Sequence, residues 1–583
     1  MISDNLLINM HLLLRCCVSV ERSGGITASK WIVNAAWPYV NSVPHLGTFI
    51  HLLSADVFAR YLRLKGDDVI AVTGSDEHGT PIEVEALRQG IDPRQLTDRY
   101  HGLILDLLEK YSISLDNYTR TESQTHVKFT QSFYLELYEK GYVFKQEVEL
   151  PHCQKCNRFL PDRFVEGKCP HCGFEKARGD QCESCGRVLD PTELVGSRCV
   201  FCGSGPTIRT SMHWFFDLPR LEDSIKKYLD ENKQLPDNAR NFSLRWLEEG
   251  LRPRALTRDN KWGVPSPFPG SEGKTIYVWM EAVLGYLSAS VELSEKRGDP
   301  NLWKRYWFDQ KTKNVHFIGK DNIPFHTIVF PALLIAADDG YVLPWQVSST
   351  EFILYEGQGK FSKSRRIGVW MDEALKIAEP ECWRYLLISI RPETKDANFT
   401  WKEFERRINT ELNDILGNFI HRTLTFLKSN FGGRIPPAED LIDNDRKIIE
   451  RIGNAPLIVG GLMEQLKLRD ALATIVELAR AGNEYLSERE PWHKIKSNKQ
   501  EAANVINICS QLTRSLAILL YPFIPQTADA IWRQLNAEGK IDGQCWEDAG
   551  EIALKPGHQI AEPQPLFRKV DGEKIAETWM KAT

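Results

Sequence analysis

The chain has no apolar run of about 18 residues, the length that a membrane-spanning helix needs. It has no low-complexity tract and no large excess of either charge: 73 Lys and Arg stand against 78 Asp and Glu, a net charge of -5. This balance excludes a protein that coats nucleic acid by bulk charge, so any polyanion must be met by local clusters. The start, "MISDNLLINMHLLLRCCVSVERSGG", lacks the basic n-region and Ala-x-Ala site of a secretory signal, and Arg15 interrupts its apolar part. Residues 1–29 are therefore expected to lie outside the fold, with Met10 a second candidate start. The expected compartment is the cytoplasm. What remains, 42% hydrophobic and 26% charged over 583 residues, is the composition of a soluble globular protein of about three to four domains.

Thirteen cysteines are present, and eight fall between positions 153 and 202 as four CxxC pairs. These are Cys153/Cys156, Cys169/Cys172, Cys182/Cys185 and Cys199/Cys202. A two-residue gap turns both sulfurs of a pair towards one ion, and two pairs complete a tetrahedral thiolate site. Two structural zinc ions are expected. Catalytic zinc is not, because eight thiolates close two sites and leave no open position. A disulfide cluster fits badly, since no secretion signal accompanies it. Sequential pairing and nested pairing (first with fourth, second with third) both give plausible loops. The similar segments "RFLPDRFVEGK" and "RVLDPTELVGSR" on either side of the inner pairs favour nesting.

"KWIVNAAWPY" reads as a buried strand, "PHLGTFIHLLSADVFARYLRLKG" as a loop and helix, and "DDVIAVTGSDEHGTP" as a second strand ending in a polar loop. Strand, helix and strand in this span make a βαβ unit and predict a parallel sheet, which binds ligands at the carboxyl ends of its strands. "PHLGT" and "GSDEHG" sit there. Gly47 admits a ligand close to the backbone, the helix N-terminus favours phosphate, and His45 can donate a hydrogen bond to it. "KTIYVWMEAVLGYLSA" and "NVHFIGKDNIPFHTIVFPALL" read as two further segments returning to the same sheet, so the cysteine region is an insertion in a split nucleotide-binding fold. Far downstream, "GKFSKSRRIG" gathers Lys360, Lys363, Arg365 and Arg366 between Gly359 and Gly368.

"PHLGT" followed by "KFSKS", about 310 residues apart, resembles the HIGH and KMSKS signatures of class I aminoacyl-tRNA synthetases. The cysteine insertion, "AAWPYVNSVPHLG", "GSDEHGTPIE", "YVWMEA" and "IGKDNIPFH" narrow the resemblance to the methionyl-tRNA synthetase family, over roughly residues 30–550. The resemblance implies activation of L-methionine by ATP, accompanied by Mg2+, and its transfer to tRNA(Met). It implies that Lys363, Lys360 and His45 act on the phosphates. ATP would be bound by His45, Gly47, Thr48, Lys360 and Lys363. Thr48 stands where the signature has its second His, so that hydrogen bond to ATP passes to the Thr hydroxyl or is lost. A cationic loop suits the step, because charge builds on the phosphates and little covalent work falls to the protein.

The resemblance also places a methionine pocket at Ala36, Trp37, Tyr39, Asp76, Trp279, Ala282, Tyr286 and His326. Asp76 would pair with the ammonium group, and the aromatic walls suit a polarizable thioether. The bland alternative for each aromatic is ordinary core. From "FTWKEFERRINTELNDILGNFIHRTLTFLK" onward, apolar residues recur at helical spacing and predict a bundle. The family reads the CAU anticodon on such a bundle. Asn418, Arg422 and Trp492 match its anticodon-contacting positions, and an exposed aromatic can stack an unpaired base.

The expected architecture is an α/β Rossmann-like parallel-sheet catalytic domain split by a zinc-knuckle insertion, followed by an all-α bundle. The expected boundaries are 30–120 and 246–345 for the catalytic halves and 121–245 for the insertion. Residues 346–400 carry the basic loop and a tRNA-stem contact, 401–550 form the anticodon-binding bundle, and 551–583 form a tail that packs back on the catalytic part. A monomer is expected. Two rival readings are a synthetase for Leu, Ile or Val and a non-catalytic zinc-knuckle RNA-binding protein. The first needs a larger editing insertion, and the second would not need Asp76, Lys363 and the pocket aromatics together.

Overall fold

The computed structural model describes residues 28–582 apart from 180, 181, 183, 186, 188, 339 and 362–365. The catalytic sheet has five strands: β1 (Lys30–Ala35), β2 (Asp68–Ser75), β3 (Asn117–Arg120), β4 (Lys313–Gly319) and β5 (Gln346–Thr350). Their order is β5-β4-β1-β2-β3, and every pairing is parallel. β1 is buried on both faces, through Trp31, Val33 and Ala35 on one and Ile32 and Asn34 on the other. That is the pattern of a strand covered by helices on each side. The strand order reverses between β1 and β4, so a crevice opens there at the carboxyl ends.

Helix α1 (Leu46–Leu64) follows β1. His45 caps it, with Nδ1 accepting from the Thr48 N–H at 3.0 Å. The apolar spacing predicts one buried stripe, but the helix is buried almost all round. The sheet covers one face and the helical bundle the other. Tyr61 Oη reaches the Gly460 carbonyl at 3.3 Å, and the Trp546 ring stands edge-on to Tyr61 at 4.9 Å. Each Leu or Phe buried in this way contributes about 1.5–3 kcal/mol. Asp56, also on α1, is fully buried between Arg60 at 3.1 Å and Arg384 at 2.7 Å. Arg384 in turn donates to the carbonyls of Tyr111 and Phe523, tying the sheet layer to the bundle.

One expected strand is corrected. "KTIYV" contributes only Thr275–Ile276, which pairs antiparallel with Thr257–Arg258 and lies outside the parallel sheet. β5 takes the remaining place. The insertion rises on a ten-pair antiparallel arm, from Val143 opposite Phe216 to His152 opposite Thr207. At its tip, Val165–Lys168 pairs antiparallel with Val195–Cys199, so the two similar segments run as paired arms.

The bundle comprises long helices Asp443–Glu464, Leu468–Arg489 and Lys499–Leu520 with the segment Asn418–Phe431. Leu412, Ile415, Leu416, Phe419 and Ile420 are buried in it, as are Leu468, Leu472, Ile475, Val476 and Ala479. Among the described residues, Lys499–Leu520 is the one helix long and apolar enough to cross a membrane, and it is buried along its whole length inside the bundle. The tail packs against the entry to the bundle. Asn409 and Val570 exchange two hydrogen bonds at 2.8 Å, and the Trp579 ring lies 5.8 Å from Trp401. The tail thus packs back on the segment that follows the basic loop, and Trp579 also bonds Tyr355.

Candidate active site and metal centres

The crevice at the carboxyl ends of β1, β2 and β4 is a cavity of about 960 Å³. Ala36, Trp37, Tyr39, His45, Gly47, Thr48, Asp76, Trp279, Ala282, Tyr286, His326 and Lys360 all line it. Lys363 and Arg365 lie outside the described residues.

The loops after β1 and β2 are zipped together. Val40 N–H donates to the Asp76 carbonyl at 3.1 Å, and Asp76 N–H to the Pro38 carbonyl at 2.9 Å. Between them the Trp37 indole is slotted against two glycines. A Cβ on Gly74 or on Gly285 would lie 2.7 Å from its ring. Trp279 Nε1 donates to Tyr39 Oη at 2.5 Å, and its ring stands edge-on to Phe325 at 4.8 Å. Tyr286 Oη and His326 Nε2 are 2.7 Å apart. His326 Nδ1–H donates to the Asn322 carbonyl at 2.9 Å, so Nε2 accepts from Tyr286. Burial lowers the His326 pKa to about 4, so the ring is neutral at neutral pH. This part of the cavity is aromatic and uncharged.

Asp76 closes it. The carboxylate is buried, and Oδ1 receives the His78 N–H at a long 3.5 Å. Burial, with the nearby Glu281 charge, raises its pKa well above the ordinary carboxylate range. A carboxyl group held in this way gains most from a cation delivered beside it. Behind it His78 bridges two carboxylates, Glu281 at 2.7 Å and Glu122 at 2.5 Å. Burial opposes the charge on this ring, but Glu281 and Glu122 outweigh it and raise the pKa to about 10. The imidazolium thus ties the β2 loop, the end of β3 and the helix Val278–Ala282 into one wall. Sequence reasoning missed Glu122 and Glu281, which lie 44 and 203 residues from His78.

On the other side, Gly47 is closely packed: a Cβ there would lie 3.2 Å from His45 Nδ1 and 3.5 Å from Phe361. With Nδ1 accepting from the helix, Nε2 is the protonated nitrogen of a neutral His45 ring. Phe361 packs edge-on to His45 at 5.5 Å and beneath Gly368. Both ends of the basic loop are pinned to the cavity wall. On the near side Phe361 N–H donates to the Ile353 carbonyl. On the far side Met371 N–H donates to the Pro44 carbonyl and Leu46 N–H to that of Val369.

The eight sulfurs form two nested groups: Cys153, Cys156, Cys199 and Cys202, then Cys169, Cys172, Cys182 and Cys185. Cys153 and Cys202 Sγ are 3.4 Å apart, Cys156 and Cys199 3.9 Å, Cys169 and Cys185 4.0 Å, and Cys172 and Cys182 3.6 Å. None is bonded to another sulfur. Four thiolates about 2.3 Å from one ion lie about 3.8 Å from one another. Each group therefore fits a metal ion. The inner group overhangs the cavity, which Asp162, Arg163, Arg178 and Cys182 also line.

A second cavity of about 320 Å³ lies on the bundle, lined by His421, Arg422, Phe426, Pro491 and Trp492 among others. Trp492 is half-buried, with the Arg422 guanidinium 5.2 Å over its ring. It is a wall of a groove, outside the bundle core. Asn418 lies one helical turn before Arg422, exposed and outside that lining.

The model of the family described as tRNA synthetases class I (M) matches residues 31–424, and that of the anticodon binding domain of methionyl tRNA ligase matches residues 435–582. The methionine–tRNA ligase of Thermofilum pendens is 52% identical over 547 residues, covering 94% of this chain and 96% of that one. That of Korarchaeum cryptofilum is 51% identical, covering 94% of this chain and 96% of its own. A solved structure of Mycobacterium tuberculosis methionyl-tRNA synthetase with methionyl-adenylate shares the fold, with a TM-score of 0.77 at 23% identity over 92% of this chain and 99% of that one. Two family models that together span both the sheet and the bundle, and relatives half identical along nearly their whole length, place this chain in the class I methionyl-tRNA synthetase family.

Proposed function

We propose that the chain is a methionine–tRNA ligase, which activates L-methionine with ATP and transfers it to the 3′ end of tRNA(Met). The observation that carries this reading is the cavity itself. An uncharged aromatic pocket ends at the buried Asp76 carboxylate, and His45, Gly47 and Lys360 stand on the adjoining wall.

Asp76 takes the substrate ammonium and fixes the amino-acid end. Trp37, Tyr39, Trp279, Tyr286 and His326 enclose the thioether, where sulfur–aromatic contacts are worth about 0.3–1.5 kcal/mol each. The substrate carboxylate then attacks the α-phosphate, and the bond to pyrophosphate breaks. His45 Nε2–H, Lys360 and Lys363 stabilise the charge that develops on the phosphates. Mg2+ bound with ATP would neutralise part of that charge. A terminal ribose hydroxyl of the tRNA then attacks the acyl carbon and releases AMP. Charging of tRNA(Met) with methionine, and its failure with a tRNA of altered CAU anticodon, tests the whole reading.

The bundle groove supplies the anticodon contact. Trp492 offers a face for one unpaired base, and base stacking of this kind is worth about 1–3 kcal/mol. Trp492→Ala is expected to lower aminoacylation by roughly tenfold or more while leaving methionine-dependent ATP–pyrophosphate exchange within twofold of wild type. If both activities fell together, the tryptophan would act through the fold and not through tRNA.

The two thiolate groups hold zinc, one ion each, with a structural role at the arm tip. Metal analysis is expected to find two zinc ions per chain. Cys172→Ser together with Cys185→Ser should remove one of them. Loss of both would mean that the pairs are shared sequentially, against the nested geometry.

A further inference from the structure

Asp76 must be ionised to take an ammonium group, and its surroundings oppose that. It is buried, and Glu281 and Glu77 add negative charge nearby. Glu281 is itself fully buried, on the helix Val278–Ala282 that carries Trp279. A second carboxylate so close disfavours the charged form of the first. The cation that answers it is His78, whose backbone N–H already points at Asp76 Oδ1. The His78 ring is buried, with Nδ1 2.7 Å from Glu281 Oε1 and Nε2 2.5 Å from Glu122 Oε1. Glu122 also pairs with Arg94, and the His78 and Arg94 contacts hold its pKa below the ordinary range despite its burial. A neutral imidazole has one N–H and cannot donate to two carboxylates, so the geometry calls for the imidazolium. Among the described residues, no other cation pairs with Glu281.

The other titratable groups around this cluster are paired or neutral. Glu77 bonds Arg120 at 2.7 Å, and Arg120 reaches Asp98 at 2.6 Å. His101, 3.7 Å from Glu77, has its pKa lowered to about 4 by burial. His126, on the helix Gln124–Glu139, bonds Ser288 and is held neutral by burial and by the His78 charge. Tyr39 and Tyr286 face Asp76, and burial with the Asp76 charge keeps both protonated. Arg163 approaches Tyr39 from the insertion. We propose that His78 is a positioning residue of the methionine site, whose imidazolium cancels the Glu281 charge near Asp76 and so keeps the Asp76 carboxylate ionised for the substrate ammonium. This rests on the methionine activation proposed above.

The test is methionine binding to the full-length chain between about pH 5 and 8.5, followed by fluorescence of the pocket tryptophans, with ATP–pyrophosphate exchange measured alongside. His78→Gln keeps a donor for Glu281 and removes the charge. Loss of a cation favours the protonated, neutral form of Asp76, so the pH at which affinity falls should move up by about one unit. Below that midpoint binding should weaken by about tenfold, with KM for ATP little changed. Glu281→Gln removes the opposing charge and should move the midpoint down. The double variant His78→Gln/Glu281→Gln has the same net charge as wild type in this cluster, and its midpoint should return most of the way. Glu77, whose pKa burial raises to about 7, titrates in every variant and cancels in the comparison. A His78→Gln midpoint equal to that of wild type, or a double variant no closer to wild type than His78→Gln, would overturn the inference and leave the activation reading intact. If His78→Gln does not fold, Glu281→Gln decides alone, and a midpoint that fails to move down overturns the inference. Absence of methionine-dependent exchange in wild type would overturn both.

Discussion

Asp76→Asn should raise KM for methionine in ATP–pyrophosphate exchange by about a hundredfold or more, with KM for ATP little changed. The substitution keeps the shape and removes the charge. Leaving one member of a buried ion pair without its partner costs about 3–5 kcal/mol, and each 1.4 kcal/mol is tenfold in affinity. The bound ammonium would sit against a neutral amide, beside the uncharged wall of Trp37, Tyr39, Trp279, Tyr286 and His326. A pH dependence accompanies this. In the empty site, burial and Glu281 raise the Asp76 pKa, so the group is partly protonated above the ordinary value of about 3.9. Methionine binds the ionised form. Affinity should therefore fall as pH drops through the raised pKa and level off above it, and Asp76→Asn should flatten that profile. A KM within threefold of wild type would remove Asp76 from the ammonium site.

Lys363→Ala is expected to lower the exchange rate by about a hundredfold while methionine binding, followed by fluorescence of the pocket tryptophans, stays near normal. Removing one preorganised donor at a site of developing charge costs about 3 kcal/mol in the transition state. Lys363 lies outside the described residues, so the argument comes from what flanks it. Lys360 and Phe361 line the cavity, with Lys360 Nζ 4.7 Å over the Phe352 ring, and Val369 and Met371 are bonded to the start of α1. Lys360→Ala should have the smaller effect of the two. An exchange rate within threefold of wild type would end the assignment of Lys363.

Much of this was legible locally. β1, β2 and β4 are short apolar runs between breakers, α1 carries a cap and a glycine stop, and CxxC pairs announce themselves. What stayed hidden depends on contacts distant in sequence. The apolar stripe of α1 says nothing of the bundle helix more than 390 positions later that covers its other face through Gly460 and Tyr61. "KTIYV" has strand composition, but its partner is the neighbouring Thr257–Arg258. The imidazolium clamp at His78 joins residues whose spacing carries no pattern. The slot for Trp37 is written as two separate glycines, Gly74 and Gly285, whose meaning appears only when the ring lies between them.

The central claim is that this cavity selects and activates methionine. The most direct measurement is ATP–pyrophosphate exchange by the purified chain with each of the twenty amino acids in turn. The account predicts exchange with methionine and at least about a hundredfold less with leucine, isoleucine or valine, since a site that pairs aromatic walls and the Tyr286–His326 dyad with a linear thioether loses those contacts for a branched aliphatic chain. Exchange driven by leucine, isoleucine or valine in place of methionine, or by no amino acid at all, would contradict it.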